Sequence, residues 1–215
     1  MDQPQATVYI VDDDAPVRRS LGRLLHASGY KVESFESAES FLLAMHWEVP
    51  GCVLLDLALP GRGGLDIQQA LLEAGATPPI IFLSAQCDIH ATVHAMRAGA
   101  RDFLTKPVEA RRLLGAIADA IRVDSETRAE QLSRVQIQSR LASLTRREAE
   151  VFEQVIQGRL NKQIAADLGT VEKTVKVHRA RVMQKMHVRT LADLVYMAIV
   201  AGVAPLHRVH RQRGH

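Results

Sequence analysis

TVYIVDDDAPVR, residues 7–18, is the stretch whose reading decides the fold. Five β-branched or aromatic residues, Thr7 to Val11, run straight into three aspartates, and Pro16 then opens a segment with helical apolar spacing at Val17, Leu21, Leu24 and Leu25. A short apolar strand followed at once by an amphipathic helix is one strand–helix unit. The unit recurs outward along the chain, with YKVESF at 30–35, CVLLDL at 52–57, PIIFLS at 79–84 and DFLTK at 102–106, each followed by polar residues, Gly or Pro. Central strands without alternation are buried on both faces, so the pattern predicts a doubly wound parallel sheet with helices on each side. Such a sheet presents its ligand site at the carboxyl ends of its strands, and the residues just after each run are where chemistry is expected.

A chain of 215 residues exceeds the roughly 150 of an average domain, which makes two units plausible. Apolar residues at 47% and charged residues at 24% are ordinary for a globular protein and exclude a fibrous repeat or wholesale disorder. No apolar run approaches the ~20 residues of a spanning helix, and MDQPQATVYI lacks the basic start and apolar core of a signal peptide. A soluble, cytoplasmic protein without a membrane partner is expected. Cys52 and Cys87 have neither CxxC nor metal-type spacing and read as reduced core residues. Charge divides the chain: residues 1 to 120 hold 10 Lys and Arg against 15 Asp and Glu, whereas residues 121 to 215 hold 17 against 9. An acidic unit precedes a basic one, and the basic one suits a polyanion.

The strand ends carry Asp12, Asp13 and Asp14 after the first run, Asp56 at the third, Ser84 at the fourth and Lys106 at the fifth. Carboxylates gathered on one rim call for a cation, and oxygen-only ligands suit Mg²⁺. Asp14, ahead of Ala15-Pro16, reads instead as a helix N-cap. In VDDDAPVR, LLDLALPGRGGL, IIFLSA and DFLTKP the chain resembles the receiver domains of bacterial response regulators, over about residues 6 to 122. The resemblance implies a flavodoxin-like (βα)5 domain with Asp56 as phosphoacceptor. It implies Mg²⁺ on Asp12, Asp13, Asp56 and the backbone carbonyl of Ala58, and phosphoryl oxygens bound by Ser84 and Lys106. It also implies a cis Lys106-Pro107 peptide and an aromatic switch at Phe103. Serine at 84, where threonine is commoner, is a mild departure. His90 and His94 stand one helical turn apart but lack a third well-placed ligand, and a metal there is rejected. A hydrolase of the haloacid dehalogenase type would need a second Asp at position 58, which is Ala58, so the chain is read as no enzyme with a substrate of its own.

Between Gly115 and Gly158 there is neither Gly nor Pro, and RRLLGAIADAIRV carries an apolar stripe at Leu113, Leu114, Ile117 and Ile121. A long helical connector is expected. Beyond it LTRREAEVFEQVIQG, NKQIAADLG, VEKTVKVHRARVMQKM and TLADLVYMAIVAG read as four helices, with Gly158 and Gly169 ending the first two. LTRREAEVF, NKQIAADLG and KTVKVHRARVMQKM together resemble the LuxR-type helix-turn-helix domain of NarL and FixJ regulators, and ADLVYMA leans toward the FixJ branch. At 100° per residue, Val171, Val175, His178, Val182 and Met186 face the core. Lys173, Lys176, Val177, Ala180 and Gln184 face outward, flanked by Thr174 and Arg181. Lys176 and Val177 occupy the base-reading positions of the family, and Ala180 stands where lysine is frequent. A neighbouring Arg179 or Arg181 is an alternative contributor. Arg146, Lys162, Thr174 and Arg181 are assigned to phosphates. Val171 stands where a capping serine is frequent, which leaves Thr170 as an alternative cap.

These readings give a receiver at 1–122, a helical linker at 123–140, an all-α LuxR-type domain at 141–204 and a basic tail at 205–215. The function implied is a two-component response regulator: a sensor histidine kinase phosphorylates Asp56, the receiver dimerises, and the basic domains bind double-stranded DNA to control transcription, with RNA polymerase as a further partner. The alternative is a phosphorylation-independent DNA-binding regulator whose receiver is a protein-interaction module.

Overall fold

A computed structural model describes residues 6–203 apart from positions 46, 76, 86 and 87. The expectations for Cys87 and for the tail from residue 205 lie outside the described residues. The chain divides into two compact units, 1–128 and 129–215.

The first unit is built on β1 (Thr7–Val11), β2 (Lys31–Phe35), β3 (Gly51–Asp56), β4 (Ile80–Ser84) and β5 (Asp102–Thr105). They form one parallel sheet in the order β2-β1-β3-β4-β5. The helices are α1 (Ala15–Ala27), α2 (Ala38–Ala44), α3 (Gly64–Glu73), α4 (Ile89–Arg97) and α5 (Ala110–Ala142). β1, β3 and β4 are buried along their whole length, while β2 and β5 are the half-exposed edges. Alternate side chains of each strand feed two separate cores, as a period of two requires. Tyr9, Val11, Val53, Leu55, Phe82 and Phe103 pack with Phe41 and Ile67 on one face. Val8, Ile10, Cys52, Leu54, Ile81 and Leu104 pack with Leu25, Leu113 and Ile117 on the other. Cys52 is a free, fully buried thiol, and burial pushes its pKa up. Lys31 and Glu33 pair at 2.7 Å on the β2 edge. Asp14 caps α1 as expected, its Oδ1 accepting from the Val17 amide at 3.2 Å.

The register places the strand ends level: Val11 is opposite both Phe35 and Leu55, Asp56 opposite Leu83, and Ser84 opposite Thr105. Asp12, Asp56, Ser84 and Lys106 therefore emerge on one rim, beside the point where the chain order reverses between β1 and β3.

The connector is helical: α5 runs unbroken for 33 residues. Its residues are shared between the two units. Asp124 accepts from the Gly51 amide in the first unit, whereas Ile137 and Leu141 pack into the core of the second. The second unit continues with α6 (Arg146–Ile156), α7 (Asn161–Asp167), α8 (Glu172–Lys185) and α9 (Leu191–Val200). Its core gathers Val151, Phe152, Val155, Ile164, Val175, Val182, Met186, Leu194 and Ala198. α6 opens on a capping box, Thr145 Oγ1 accepting from the Glu148 amide while a Glu148 carboxylate oxygen accepts from the Thr145 amide at 2.8 Å. Gly169 turns α7 into α8 at φ 61°, a left-handed conformation that glycine adopts without steric penalty.

Candidate functional site

At the rim, Asp12 is fully buried and Asp56 is 6% exposed. Between them the Lys106 ammonium donates to Asp12 Oδ2 and to Asp56 Oδ2, each at 2.6 Å. Burial works against the charge on Lys106, but hydrogen bonds to the two carboxylates and their charges outweigh it and hold its pKa above the ordinary lysine range. The remaining oxygens are held by the backbone: Asp12 Oδ1 accepts from the Asp14 amide and Asp56 Oδ1 from the Ala58 amide, both at 2.9 Å. Asp13 is exposed, and one oxygen from each of Asp12, Asp13 and Asp56 lies within 4.8 Å of the others.

Three carboxylates against one ammonium leave an excess of negative charge on an all-oxygen donor set. That chemistry fits a hard divalent cation such as Mg²⁺, which is held by one or two carboxylates and keeps several waters. Receiver domains in general carry Mg²⁺ in such an acidic pocket.

Ser84 is buried on the same rim, and its carbonyl accepts from the Lys106 amide at 2.7 Å. The Lys106-Pro107 peptide is cis, as the resemblance implied. Phe103 is buried, its ring 6.2 Å from that of Phe82. Ala58 is exposed on the loop after β3. His90 and His94 are both exposed on α4. One contact escaped the sequence reading: Arg18, on the second turn of α1, donates from Nη1 to the Asp12 carbonyl at 2.6 Å and so fastens the acidic turn to the helix. Its signal was its place in VDDDAPVR, one helical turn beyond the cap.

In the basic unit α8 presents Lys173, Lys176, Val177, Ala180, Arg181 and Gln184 to solvent, with Thr174 half-buried beside them. Val177 is 46% exposed amid these polar residues. Lys176 pairs with Glu172 at 3.3 Å, an exposed contact of little energy. Arg179 is turned back to Asn161 of α7 at 3.3 Å, which leaves Arg181 as the freer cation. Arg146 and Lys162 are exposed. Val175, Val182 and Met186 are buried as the helical wheel expects, and His178 is half-buried with no partner for Nδ1 among the described residues.

Val171 corrects the wheel. It is 64% exposed and is itself the N-cap residue, without a side-chain cap bond, so neither its core position nor capping by Thr170 holds. The reason is local: the cap residue has left helical geometry, at φ −104° and ψ 152°, and an angular projection no longer applies to it.

Residues 8–118 match the family described as the response regulator receiver domain, and residues 142–198 match the bacterial regulatory proteins of the luxR family. The chain is 40% identical over 208 residues to nodulation protein W of Bradyrhizobium diazoefficiens, covering 97% of this chain and 92% of that protein. It is 39% identical over 198 residues to the transcriptional regulatory protein FixJ of Azorhizobium caulinodans, covering 92% and 94%. Among solved structures it is similar to the response regulator StyR, with a TM-score of 0.84 and 43% identity over 91% of this chain and 98% of that one. Among the described residues no helix is long and apolar enough to cross a membrane. A sheet whose rim gathers three aspartates and a lysine, followed by a helix-turn-helix, is thus matched along nearly its whole length by regulators of transcription, and the chain belongs to the two-component response regulators with a LuxR-type DNA-binding domain, in the FixJ branch.

Proposed function

We propose that Asp56 accepts a phosphoryl group from a sensor histidine kinase, and that the modified receiver dimerises and brings two LuxR-type domains onto DNA to control transcription, with RNA polymerase as a downstream partner. The observation that carries this reading is the Lys106 ammonium, 2.6 Å from both Asp12 and Asp56 on the rim of the sheet.

In the transfer, an Asp56 carboxylate oxygen forms the new P–O bond as the P–N bond to the kinase imidazole breaks, and the bonding pair leaves with the imidazole. Such a transfer asks little of the protein beyond positioning and charge stabilisation. The Ala58 amide fixes the orientation of the Asp56 carboxylate. Lys106 and the Ser84 hydroxyl receive the phosphoryl oxygens. Asp12, Asp13, Asp56 and the Ala58 carbonyl would hold Mg²⁺, which when bound neutralises charge developing on the transferring group.

Dimerisation is supported by α4, which exposes Ile89 (71%), Val93 (43%) and Met96 (44%) at i, i+4 and i+7, one apolar stripe on the face that continues into β5 and α5. Phe103, buried one layer beneath, is the residue through which the Ser84 hydroxyl would act on that face. To shift a minor receiver state to dominance the phosphoryl group must favour it by several kcal/mol. Two α8 helices then meet half-sites about one DNA turn apart. Lys173, Thr174, Arg181, Arg146 and Lys162 serve phosphates, while Lys176, Val177 and Ala180 face base edges.

The test is sedimentation and DNA binding of the full chain with Mg²⁺, with and without a small phosphodonor, beside Asp56→Ala. A phosphodonor-dependent dimer with tighter, salt-sensitive DNA binding, absent in the variant, is expected. Equal dimerisation and binding in all samples would favour the phosphorylation-independent regulator. In the same assay Lys176→Ala should weaken operator binding by roughly tenfold or more, the range of a lost base contact, with phosphorylation unchanged; an unaltered footprint would remove Lys176 from the interface.

A further inference from the structure

The opposite pole of the receiver sheet, away from the acidic rim, holds a second polar cluster. Asp124 lies two turns beyond Ile117 on α5 and is 6% exposed. Its Oδ2 accepts from the Gly51 amide at 3.0 Å, 73 residues away in sequence, and from Arg128 Nε at 2.8 Å. The Arg128 guanidinium in turn sits over the Trp47 ring, 5.6 Å from its centroid, and Trp47 packs on Tyr9 with ring centroids 5.2 Å apart. Gly51 is required here, because a Cβ at this position would lie 2.2 Å from the Thr7 carbonyl oxygen. The amide of Gly51, the first residue of β3, donates to an acceptor outside the sheet, and that acceptor is on the connector helix.

We propose that Asp124 and Arg128 form a clasp with the Gly51 amide and the Trp47 ring, which roots the connector helix on the receiver and carries the state of Asp56 to that helix. Two observations support a reversible clasp rather than a plain structural bond. First, it is incompletely satisfied: Arg128 Nη2 is buried and has no hydrogen-bond partner among the described residues. A contact that leaves buried polar groups unpaired is held below its full strength. Second, β1 and β3 each join the two poles. β3 begins at Gly51 and ends at Asp56, and β1 begins at Thr7 and leads to Asp12. Five strand steps span roughly 16 Å, through side chains that are all buried. Beyond Arg128, by contrast, residues 129 to 136 of α5 are exposed, Leu132 and Val135 included. The clasp thus closes the part of α5 that belongs to the first unit, and Asp124 and Arg128 are positioning residues.

The coupling half of this inference rests on phosphorylation of Asp56; the rooting half does not. Both are tested in the full chain with Asp124→Ala and Arg128→Ala, with Arg128→Lys keeping the charge without the forked donor. Arg128→Ala leaves the Asp124–Gly51 bond in place and serves should Asp124→Ala fail to fold. Amide hydrogen exchange over residues 121–128 should accelerate by about tenfold or more, as loss of a hydrogen bond to a charged group allows. Emission from Trp47, the sole tryptophan, should shift as its cation departs. Asp56 should still accept phosphate from acetyl phosphate at the wild-type rate, while the stimulation of DNA binding by the phosphodonor falls several-fold. Unchanged exchange and emission would overturn the clasp. Raised exchange with full phosphodonor stimulation would overturn its role in coupling. A wild-type chain whose DNA binding ignores the phosphodonor would instead refute the phosphorylation reading, and the exchange arm would still decide whether the clasp roots the helix.

Discussion

Lys106→Ala is expected to lower the stability of the receiver by about 3 kcal/mol in metal-free buffer, the range for stripping one partner from a buried ion pair, and to make that stability depend steeply on Mg²⁺. The ammonium lies 2.6 Å from two carboxylates that are almost wholly buried. Without it Asp12 and Asp56 face each other across a site that burial keeps poorly solvated, and folding must force together two like charges. A divalent cation then becomes the remaining source of neutralisation, and because it no longer competes with the lysine it binds the folded state more tightly. Anything that binds the native state stabilises it by mass action, so millimolar Mg²⁺ should recover most of the loss and should raise the variant's midpoint more than the wild type's. Urea unfolding followed by Trp47 emission reads the receiver alone, since no other tryptophan is present. A wild-type midpoint for Lys106→Ala in metal-free buffer would show that the two carboxylates are not held by the lysine.

The second large effect belongs to the basic unit. Glu148 is 3% exposed, and its Oε2 accepts from Lys185 Nζ at 2.6 Å and from the Thr145 amide at 2.8 Å. The hydrogen bond from Lys185, followed by that from Thr145, holds its pKa down to about 2 from an ordinary 4.5. A carboxyl whose folded pKa is depressed adds stability above its unfolded pKa and loses it as pH falls toward the folded one. The unit should therefore weaken between about pH 4.5 and pH 2, and Glu148→Gln should flatten that slope. At neutral pH Glu148→Ala removes the capping box and the ion pair, leaving Lys185 its bond to the Ser143 carbonyl at 2.9 Å; a loss of roughly 2 kcal/mol is expected. Circular dichroism of the helical signal across pH, with Trp47 emission recorded alongside, separates this unit from the receiver. Melting of Glu148→Ala at the wild-type temperature would remove the pair from any part in stability.

What could be read from sequence divides along the range of the interactions. The strands were visible because residues buried on both faces must be apolar throughout, and the rim residues were visible because each closes its strand or follows it directly: Asp56 ends β3, while Asp12 comes after Val11 and Lys106 after Thr105. The structure brings Asp12, Asp13, Asp56 and Lys106 together. The helices of the basic unit announced themselves by their apolar periodicity and by glycines at their ends. The partners that stayed hidden are polar pairs between distant segments. Nothing in the surroundings of Glu148 points to Lys185, 37 residues on, nor does anything near Asp124 point to Gly51. A buried charge is legible only once its partner is known, and the partner is a product of the fold. Val171 failed for the opposite reason. It lies within a clear period, but the backbone leaves the helix at that residue and takes the side chain with it.

The outer edges of the sheet limit how this chain can associate with itself. An open edge strand offers unpaired amides and carbonyls to any other strand, the usual beginning of aggregation, and charged residues or a short length are what blunt it. β2 places Lys31 and Glu33 on one edge, and β5 on the other is only four residues long. Strand-to-strand growth into fibres is disfavoured at both ends, so a high local concentration of receivers, as many copies recruited to neighbouring operators would create, can be borne without runaway polymerisation.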